Sequence, residues 1–241
     1  MQTKPDCSRS SPRILATSTY PSTRHHHFQA PRGSSSARLS GRLRGAYFSS
    51  LLALKKDGTL WACGSNIYGS LGLGDTADRH SFTEVSSAHD WAHVSAGIGY
   101  SLAIKKDGTL WAWGDNSFGE LGLGDTVERN SPTQVGSASD WAAVACLGHH
   151  SVALQTDGTL WAWGENCYGQ LGLGDTTNRL SPTQVGTSRD WAAIAPGSSD
   201  SYDTVALQTN GTLWAWGFNQ FGQLGLGDTT DRSIPTEARA P

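Results

Sequence analysis

Short runs of apolar residues alternate with polar ones along residues 46–241, and the same order of runs returns four times. In one copy, Ser101–Lys106 and Thr109–Trp113 are β-prone runs joined by Asp107-Gly108. Alternation of this kind predicts strands, and the Asp-Gly pair predicts a hairpin with a type I′ turn. No segment shows a sustained helical period, so the pattern predicts an all-β chain.

Two further strands are predicted in each copy, around Pro132–Val135 and over Trp141–Ala145. The predicted order within a unit is therefore PTQV, WAAVA, SVALQT, TLWAWG, as one antiparallel sheet. Both faces of Leu110–Trp113 carry apolar or small residues, and such a sheet must be covered on both faces. Blades stacked face to face around an axis achieve this, so we predict a β-propeller. The Ala-rich strand is expected innermost, with the tryptophans in the wedges between blades.

The glycine-rich segment Gly119–Asp125 is predicted to link one blade to the next, because its glycines permit positive φ. Its leucines are expected to fill the seam between blades. Asp125 and Arg129 recur in all four copies and predict an ion pair that ties the segment down. The residues expected to be structural are Asp107, Gly108, Trp111, Trp113, Gly114, Gly119, Leu121, Gly122, Gly124 and Asp125.

The motif DGTLWAWGxNxxGQLGLGDTxxRxxPTQV runs from Asp157 to Val185 with little deviation. It resembles the regulator of chromosome condensation repeat in its bacterial-type form, and the resemblance extends over residues 46–238. The resemblance implies a β-propeller, usually of seven blades. This chain departs from that number. Three four-strand units, at 82–114, 132–164 and 182–217, and parts of two others predict a partial propeller of about 3.5 blades.

The charge distribution separates residues 1–45 from the repeats. The first segment carries eight basic residues and one acidic residue, whereas residues 46–241 carry ten basic and twenty acidic ones. We predict a basic, disordered N-terminal tail over 1–45. A transit peptide and a segment translated out of frame stay open as alternatives. The repeat domain, 46–241, is divided into units at about 47–81, 82–131, 132–181 and 182–234.

No catalytic or ligand-binding motif stands out from the repeat. Gly69–Gly74 lacks the Lys-Ser/Thr of a phosphate loop, and the recurring aspartates lack the EF-hand spacing. The four cysteines form no CxxC pair, and His25-His26-His27 is read as solvated. We expect no enzyme, no cofactor and no metal site. No apolar run is long enough for a membrane span, no signal peptide is evident, and the compartment is not indicated.

Positions where the copies disagree are the candidates for specificity, because scaffold positions repeat. We predict a protein-binding surface on the variable loops, formed by Tyr100, His149, His150, Asp200, Tyr202, Asp203 and Phe218. The chain is interpreted as a non-catalytic scaffold with a protein partner. The relatives that the resemblance implies leave a guanine-nucleotide exchange regulator of a small GTPase open as an alternative. A fragment of a longer repeat protein without independent function and a propeller lyase or hydrolase are further alternatives.

The partner classes follow from charge and from the number of repeats. No membrane partner is expected, and nucleic acid is expected only through the basic tail, because the repeats are acidic. Self-association to complete the propeller is a further expectation, since an unclosed propeller leaves sheet edges exposed.

Overall fold

The computed structural model describes residues 50–195 and 201–238, and the backbone of 38–40. Helices are absent from these ranges, which confirms the all-β prediction. No helix that could cross a bilayer is therefore found in this part of the chain. The strands are β1 (Arg38–Ser40), β2 (Ser50–Leu54), β3 (Leu60–Gly64), β4 (Arg79–Glu84), β5 (Trp91–Ala96), β6 (Tyr100–Lys105), β7 (Leu110–Gly114), β8 (Arg129–Gln134), β9 (Trp141–Leu147), β10 (His150–Gln155), β11 (Leu160–Gly164), β12 (Arg179–Gln184), β13 (Trp191–Ile194), β14 (Asp203–Gln208), β15 (Leu213–Gly217) and β16 (Arg232–Ala238).

The strands form four antiparallel sheets of four strands each. We call them blade 1 (β1–β4), blade 2 (β5–β8), blade 3 (β9–β12) and blade 4 (β13–β16). The described residues thus hold four sheets, where the sequence predicted three complete ones and parts of two more. β1 lies within the segment 1–45, whose other residues fall outside the described ranges.

The predicted order of strands within a unit is wrong in one respect. The PTQV strand comes last in its sheet and not first: β8 pairs with β7, with Gly114 opposite Arg129. The glycine-rich segment is therefore a loop within one blade, and the short stretch after β8 leads to the next blade. The prediction assigned the PTQV strand to the sheet of β9 because the two strands are close in sequence. The long loop that returns the chain to its own sheet has no hydrophobic periodicity, so it gave no indication of the true pairing.

Asn116 holds this glycine-rich loop in place. Its Nδ2 donates to the carbonyl oxygens of Asp125, at 2.9 Å, and Val127, at 3.1 Å, while its Oδ1 accepts from Leu121 N at 2.9 Å. The side chain is fully buried, as are its three counterparts. Buried loops need such side-chain partners for their peptide groups. The counterparts of this residue, which the sequence reading did not single out, are Asn66, Asn166 and Asn219.

The hairpin between the second and third strands is present, but the type I′ turn is wrong. Gly108 N donates to Lys105 O and Lys105 N donates to Thr109 O, both at 3.0 Å, which closes a three-residue loop. Gly108 adopts a φ of 81°, where glycine is favoured. Asp107 Oδ1 accepts from Thr109 N and Oγ1 at 3.0 and 2.7 Å. Asp and Gly are thus turn residues in a loop longer than predicted.

The apolar core lies in the seams between blades. It divides into three clusters, and each combines residues of two consecutive blades. We call the interfaces seam 1 (blades 1 and 2), seam 2 (blades 2 and 3) and seam 3 (blades 3 and 4). β9 contacts both β5 and β13, so the first strands of consecutive blades lie together, as expected for an innermost Ala-rich strand.

One pair of hydrogen bonds recurs in every seam. In seam 2, Trp163 Nε1 and Ser151 Oγ both donate to Glu120 O, at 2.8 and 2.7 Å. Leu121 is fully buried in the same cluster as Trp163, so the leucine and the tryptophan fill the seam as predicted. The corresponding donors are Trp113 and Ser101 to Ser70 O in seam 1, and Trp216 and Thr204 to Gln170 O in seam 3.

The predicted Asp–Arg ion pair is present in all four blades. Arg129 Nη2 lies 2.7 Å from Asp125 Oδ2, and the three equivalent pairs measure 2.6 Å. The two side chains keep 25% and 39% of their surface exposed. Hydrogen bonds from Val127 N and Arg129 hold the pKa of Asp125 below its ordinary value.

We expect Arg129→Gln to lower the free energy of unfolding by less than about 1 kcal/mol, because exposed ion pairs contribute little. Asp125→Ala should cost more, since Asp125 Oδ1 also accepts from Val127 N and Asn116 Nδ2. Urea denaturation at low and high salt checks both, and the effect of Arg129→Gln should shrink in salt. A larger loss for Arg129→Gln than for Asp125→Ala would contradict this.

The face of blade 4 that points away from blade 3 is not covered by another blade among the described residues. Leu213 is 43% exposed there, whereas its counterparts Leu110 and Leu160 are fully buried by the following blade. Leu207, Phe221 and Ile234 are exposed on the same blade.

Candidate functional site

The variable residues meet at one end of the blades, which we call the loop end. There, the turn between the first and second strands lies against the end of the third strand. Asp115 N donates to Gly99 O at 2.9 Å, and Glu165 N donates to His149 O at 3.0 Å. Gly114 has a φ of 105°, and any Cβ at this position would collide with Gly99 O. This close approach brings two variable positions together in blades 2, 3 and 4, the three whose turn lies among the described residues.

Two of the predicted surface residues are enclosed. Tyr100 and His150 are both 0% exposed, so neither side chain can contact a partner directly. Tyr100 Oη donates to His150 O at 2.6 Å and accepts from Leu147 N at 3.2 Å, across seam 2. This corrects the expectation of exposed loop side chains for these two residues. They occupy inward-facing strand positions, where the side chain reaches the next blade.

His150 repeats this arrangement across seam 3. Its Nε2 lies 2.9 Å from Thr204 Oγ1, and Thr204 Oγ1 donates its single proton to Gln170 O at 2.8 Å. Nε2 therefore carries the proton, because the hydroxyl has only acceptor capacity left. Burial lowers the pKa of His150 to about 3, so the imidazole is neutral near pH 7 and is a structural donor.

The remaining predicted residues have different environments. His149, Tyr202 and Phe218 are half-buried at the loop end. Asp203 is half-buried in the strand position of Tyr100 and His150, and burial raises its pKa. Ser201 Oγ donates to Asp203 Oδ1 at 2.8 Å. Asp200 lies outside the described residues.

Seam 3 carries an aromatic cluster at its loop end. The ring of Tyr168 lies 5.4 Å from that of Tyr202 and 4.8 Å from that of Phe218. Phe221 continues the row at 5.9 Å from Phe218, and it is 85% exposed. Each pair meets at the steep angle that aromatic rings favour. The cluster presents a partly exposed apolar surface of rigid side chains.

Seam 2 carries charged groups at the same place. One ligand atom from each of Asp115, Glu120 and His149 lies within 4.8 Å of the others. Glu120 is 0% exposed and Asp115 is 6% exposed. Phe118 N donates to Glu120 Oε2 at 2.7 Å, and the Phe118 ring lies 5.0 Å from that of His149. Three ionisable groups are thus enclosed together.

Electrostatics in seam 2 follow from burial and from crowding of carboxylates. Burial raises the pKa of Glu120 and that of Glu165. Burial alone lowers the pKa of His149, but the negative charges of Glu120, Glu165 and Asp115 raise it above its ordinary value overall. The cluster therefore favours a positive charge at His149.

The sequence reading selected His149 here but neither Asp115 nor Glu120 as a binding residue. Glu120 stands in the repeated GxLGLGD segment, which the sequence predicts to be structural, and Asp115 is not among the residues predicted for the variable loops. A usable signal exists in the copies. Only one copy has a carboxylate or a histidine at all three positions, namely the copy with Asp115, Glu120 and His149.

The profile of the regulator of chromosome condensation (RCC1) repeat matches residues 57–104, 107–154, 157–201 and 210–241. The chain belongs to the RCC1 repeat family. A second profile of the same repeat matches residues 91–120 and 141–170. The first three matches start at the hairpin Asp and end in the next blade, so each of them spans one seam. Asp115, Glu120 and His149 all fall within the repeat at 107–154.

Curated relatives of this RCC1-repeat chain match over short segments. The ultraviolet-B receptor UVR8 of Arabidopsis thaliana is 45% identical over 38 residues, which is 16% of this chain and 9% of the relative. Ras guanine nucleotide exchange factor C of Dictyostelium discoideum is 56% identical over 34 residues, or 14% of this chain and 2% of the relative. These matches cover about one repeat each.

Among solved structures, Prp20p of Saccharomyces cerevisiae is similar to this chain with a TM-score of 0.71 and 23% identity. The alignment covers 84% of this chain and 50% of Prp20p. Together with the RCC1 profile, this confirms the β-propeller fold and its blades. The chain spans about half the length of that propeller.

Proposed function

We propose that this chain is a non-catalytic propeller scaffold that binds a protein through the loop end of seam 3. The observation that carries the proposal is the cluster of the half-buried rings of Tyr168, Tyr202 and Phe218, of which Tyr202 and Phe218 stand at positions where the copies differ. Aromatic side chains supply much of the binding energy at protein interfaces, because they bury a large area at little cost in conformational entropy. The part of each ring that stays exposed can contact a partner.

Binding to other proteins is known for a protein of similar structure, which agrees with a protein partner. Prp20p binds Gsp1p and histones. The same protein, yeast RCC1 (Prp20), has a solved structure bound to Kap60. The repeats here are acidic, with twenty acidic and ten basic residues, which favours a partner with a basic contact surface. An exchange-factor function would make that partner a small GTPase, so it is one outcome of the same experiment.

The test compares the chain with the double variant Tyr202→Ala/Phe218→Ala as bait in extract of the organism that carries this sequence. The control variant, Lys106→Ala/Arg189→Ala, changes exposed residues at the hairpin end of the blades, opposite the loop end. We expect a protein retained at least about tenfold less by the loop variant than by the control. The purified partner should then bind the chain in a 1:1 complex by calorimetry.

Two results would overturn the proposal. One is a partner that binds the loop variant and the chain with the same Kd. The other is an absence of any protein that depends on the loop end, in baits whose circular dichroism shows an intact fold.

A further inference from the structure

We propose that Asp115, Glu120 and His149 form a binding site for one divalent transition-metal ion such as Zn²⁺, at the loop end of seam 2. The site departs from the expectation that the chain holds no metal ligands. Its three members come from a strand end, the glycine-rich loop and the next blade, and only the packing of blade 3 on blade 2 brings them together.

The distances fit a site that closes around an ion. The candidate ligand atoms lie within 4.8 Å of one another, and Glu120 Oε1 is 3.7 Å from His149 Nδ1. Zn²⁺ holds carboxylate and imidazole ligands at about 2.0–2.2 Å, so neighbouring ligand atoms in a tetrahedral shell are roughly 3.4 Å apart. The Asp115 and His149 side chains would have to rotate to bring the three atoms to that spacing.

Glu120 Oε1 and His149 Nδ1 face each other across the site at 3.7 Å, where a protonated His149 forms an ion pair with Glu120. Glu120 Oε1 and His149 Nδ1 are buried and make no hydrogen bond to any group among the described residues. Glu120 is 0% exposed, and the Phe118 N–H fixes its other oxygen at 2.7 Å, which aims Oε1 into the cluster. Buried polar atoms are nearly always paired in folded proteins, and an orphan requires an explanation such as a bound ion.

The donor set selects the kind of ion. An imidazole nitrogen with two carboxylates suits Zn²⁺ and its neighbours, whereas Ca²⁺ and Mg²⁺ prefer oxygen ligands alone. Glu165 adds a buried negative charge beside His149, which attracts a cation further. The His149 side chain is 19% exposed, so the ion can enter from the loop end, and water completes the shell.

The other two seams lack this set at the same positions. In seam 1 the positions of Asp115, Glu120 and His149 hold Ser, Ser and Gly, and in seam 3 they hold Glu, Gln and Tyr. Those seams keep the same hydrogen bonds to the carbonyl of the second position. Each ligand can therefore be replaced by a residue that the repeat already tolerates there, which separates metal binding from folding.

The experiment titrates Zn²⁺ into the full chain by calorimetry after removal of metal with EDTA, in the presence of a reducing agent. The chain carries His25→Ala/His26→Ala/His27→Ala, because three consecutive histidines bind metal by themselves. We expect one Zn²⁺ per chain, with Mg²⁺ and Ca²⁺ binding at least about a hundredfold more weakly. Bound Zn²⁺ should also raise the Tm, by an amount that grows with the logarithm of the Zn²⁺ concentration over Kd.

Glu120→Gln and His149→Tyr, which copy seam 3, should each weaken Zn²⁺ binding at least about tenfold, as loss of a ligand requires. Asp115→Ser copies seam 1 and serves if either variant fails to fold. Glu128→Gln is the matched control, because it removes a carboxylate that interacts with Asp115 but is no ligand; it should change Kd less than about threefold. Absence of one-to-one binding, or a Kd that the ligand variants leave unchanged, would overturn the site.

Discussion

Trp113→Ala is expected to lower the free energy of unfolding by about 3–5 kcal/mol, the range for removal of a large aromatic side chain from a core. Trp113 is 0% exposed and fills seam 1 with residues of both blades. Its Nε1 donates to Ser70 O at 2.8 Å, and its ring lies 6.1 Å from that of Trp91. The substitution therefore leaves a cavity and removes one of two donors to a buried carbonyl.

Chemical denaturation followed by circular dichroism measures this loss. Phe221→Ala is the control, because it removes a similar apolar area from a side chain that is 85% exposed, and it should change stability by less than about 1 kcal/mol. Equal losses for the two variants would mean that the seam contributes no more than an exposed ring, which would contradict the description of the core.

Gly158→Ala is expected to cost about 2–5 kcal/mol, and Gly211→Ala only about 1–2 kcal/mol. Both glycines occupy the same place in the hairpin, with φ values of 81° and 86°. A non-glycine residue in this region costs about 1–2 kcal/mol. A Cβ on Gly158 would also collide with Arg189 O in the stretch that leads to blade 4, whereas a Cβ on Gly211 meets nothing within 4 Å. Overpacking against backbone adds about 1–3 kcal/mol.

The comparison isolates packing from backbone strain, because the two glycines share sequence context and differ in what covers them. Thermal and urea unfolding of the two variants supply the measurement. If Gly211→Ala proved as damaging as Gly158→Ala, strain in the turn would account for both, and the contact between hairpin and following link would carry no energy.

Much of the fold could be predicted because the copies repeat it. The Trp113 and Leu121 positions, the Asp125–Arg129 pair and the innermost Ala-rich strand all follow from apolar pattern and composition, and the structure has them where expected. The errors concern pairing. Whether Pro132 belongs to the sheet before it or after it depends on a loop that folds back, and local alternation is the same in both cases.

The candidate site was predicted less well, for a related reason. His149 and His150 are adjacent in sequence, yet one faces the loop end and the other reaches Thr204 inside seam 3. Alternation along a strand explains this only once the strand start is known. Glu120 was hidden because its backbone has a scaffold role, and its side chain meets His149 only after two blades have packed.

The hydrogen bonds across each seam end on a backbone carbonyl, so the side chain of that residue can differ without loss of these bonds. Trp163 and Ser151 recognise the peptide oxygen of residue 120 and are indifferent to what its side chain is. The equivalent positions hold Ser70 and Gln170 without any change in this bond pattern. The side chain at this position can therefore be a hydroxyl, an amide or a carboxylic acid while the same hydrogen bonds join the blades. Single substitutions at the seams can therefore change the chemistry at the loop end without changing how the blades pack.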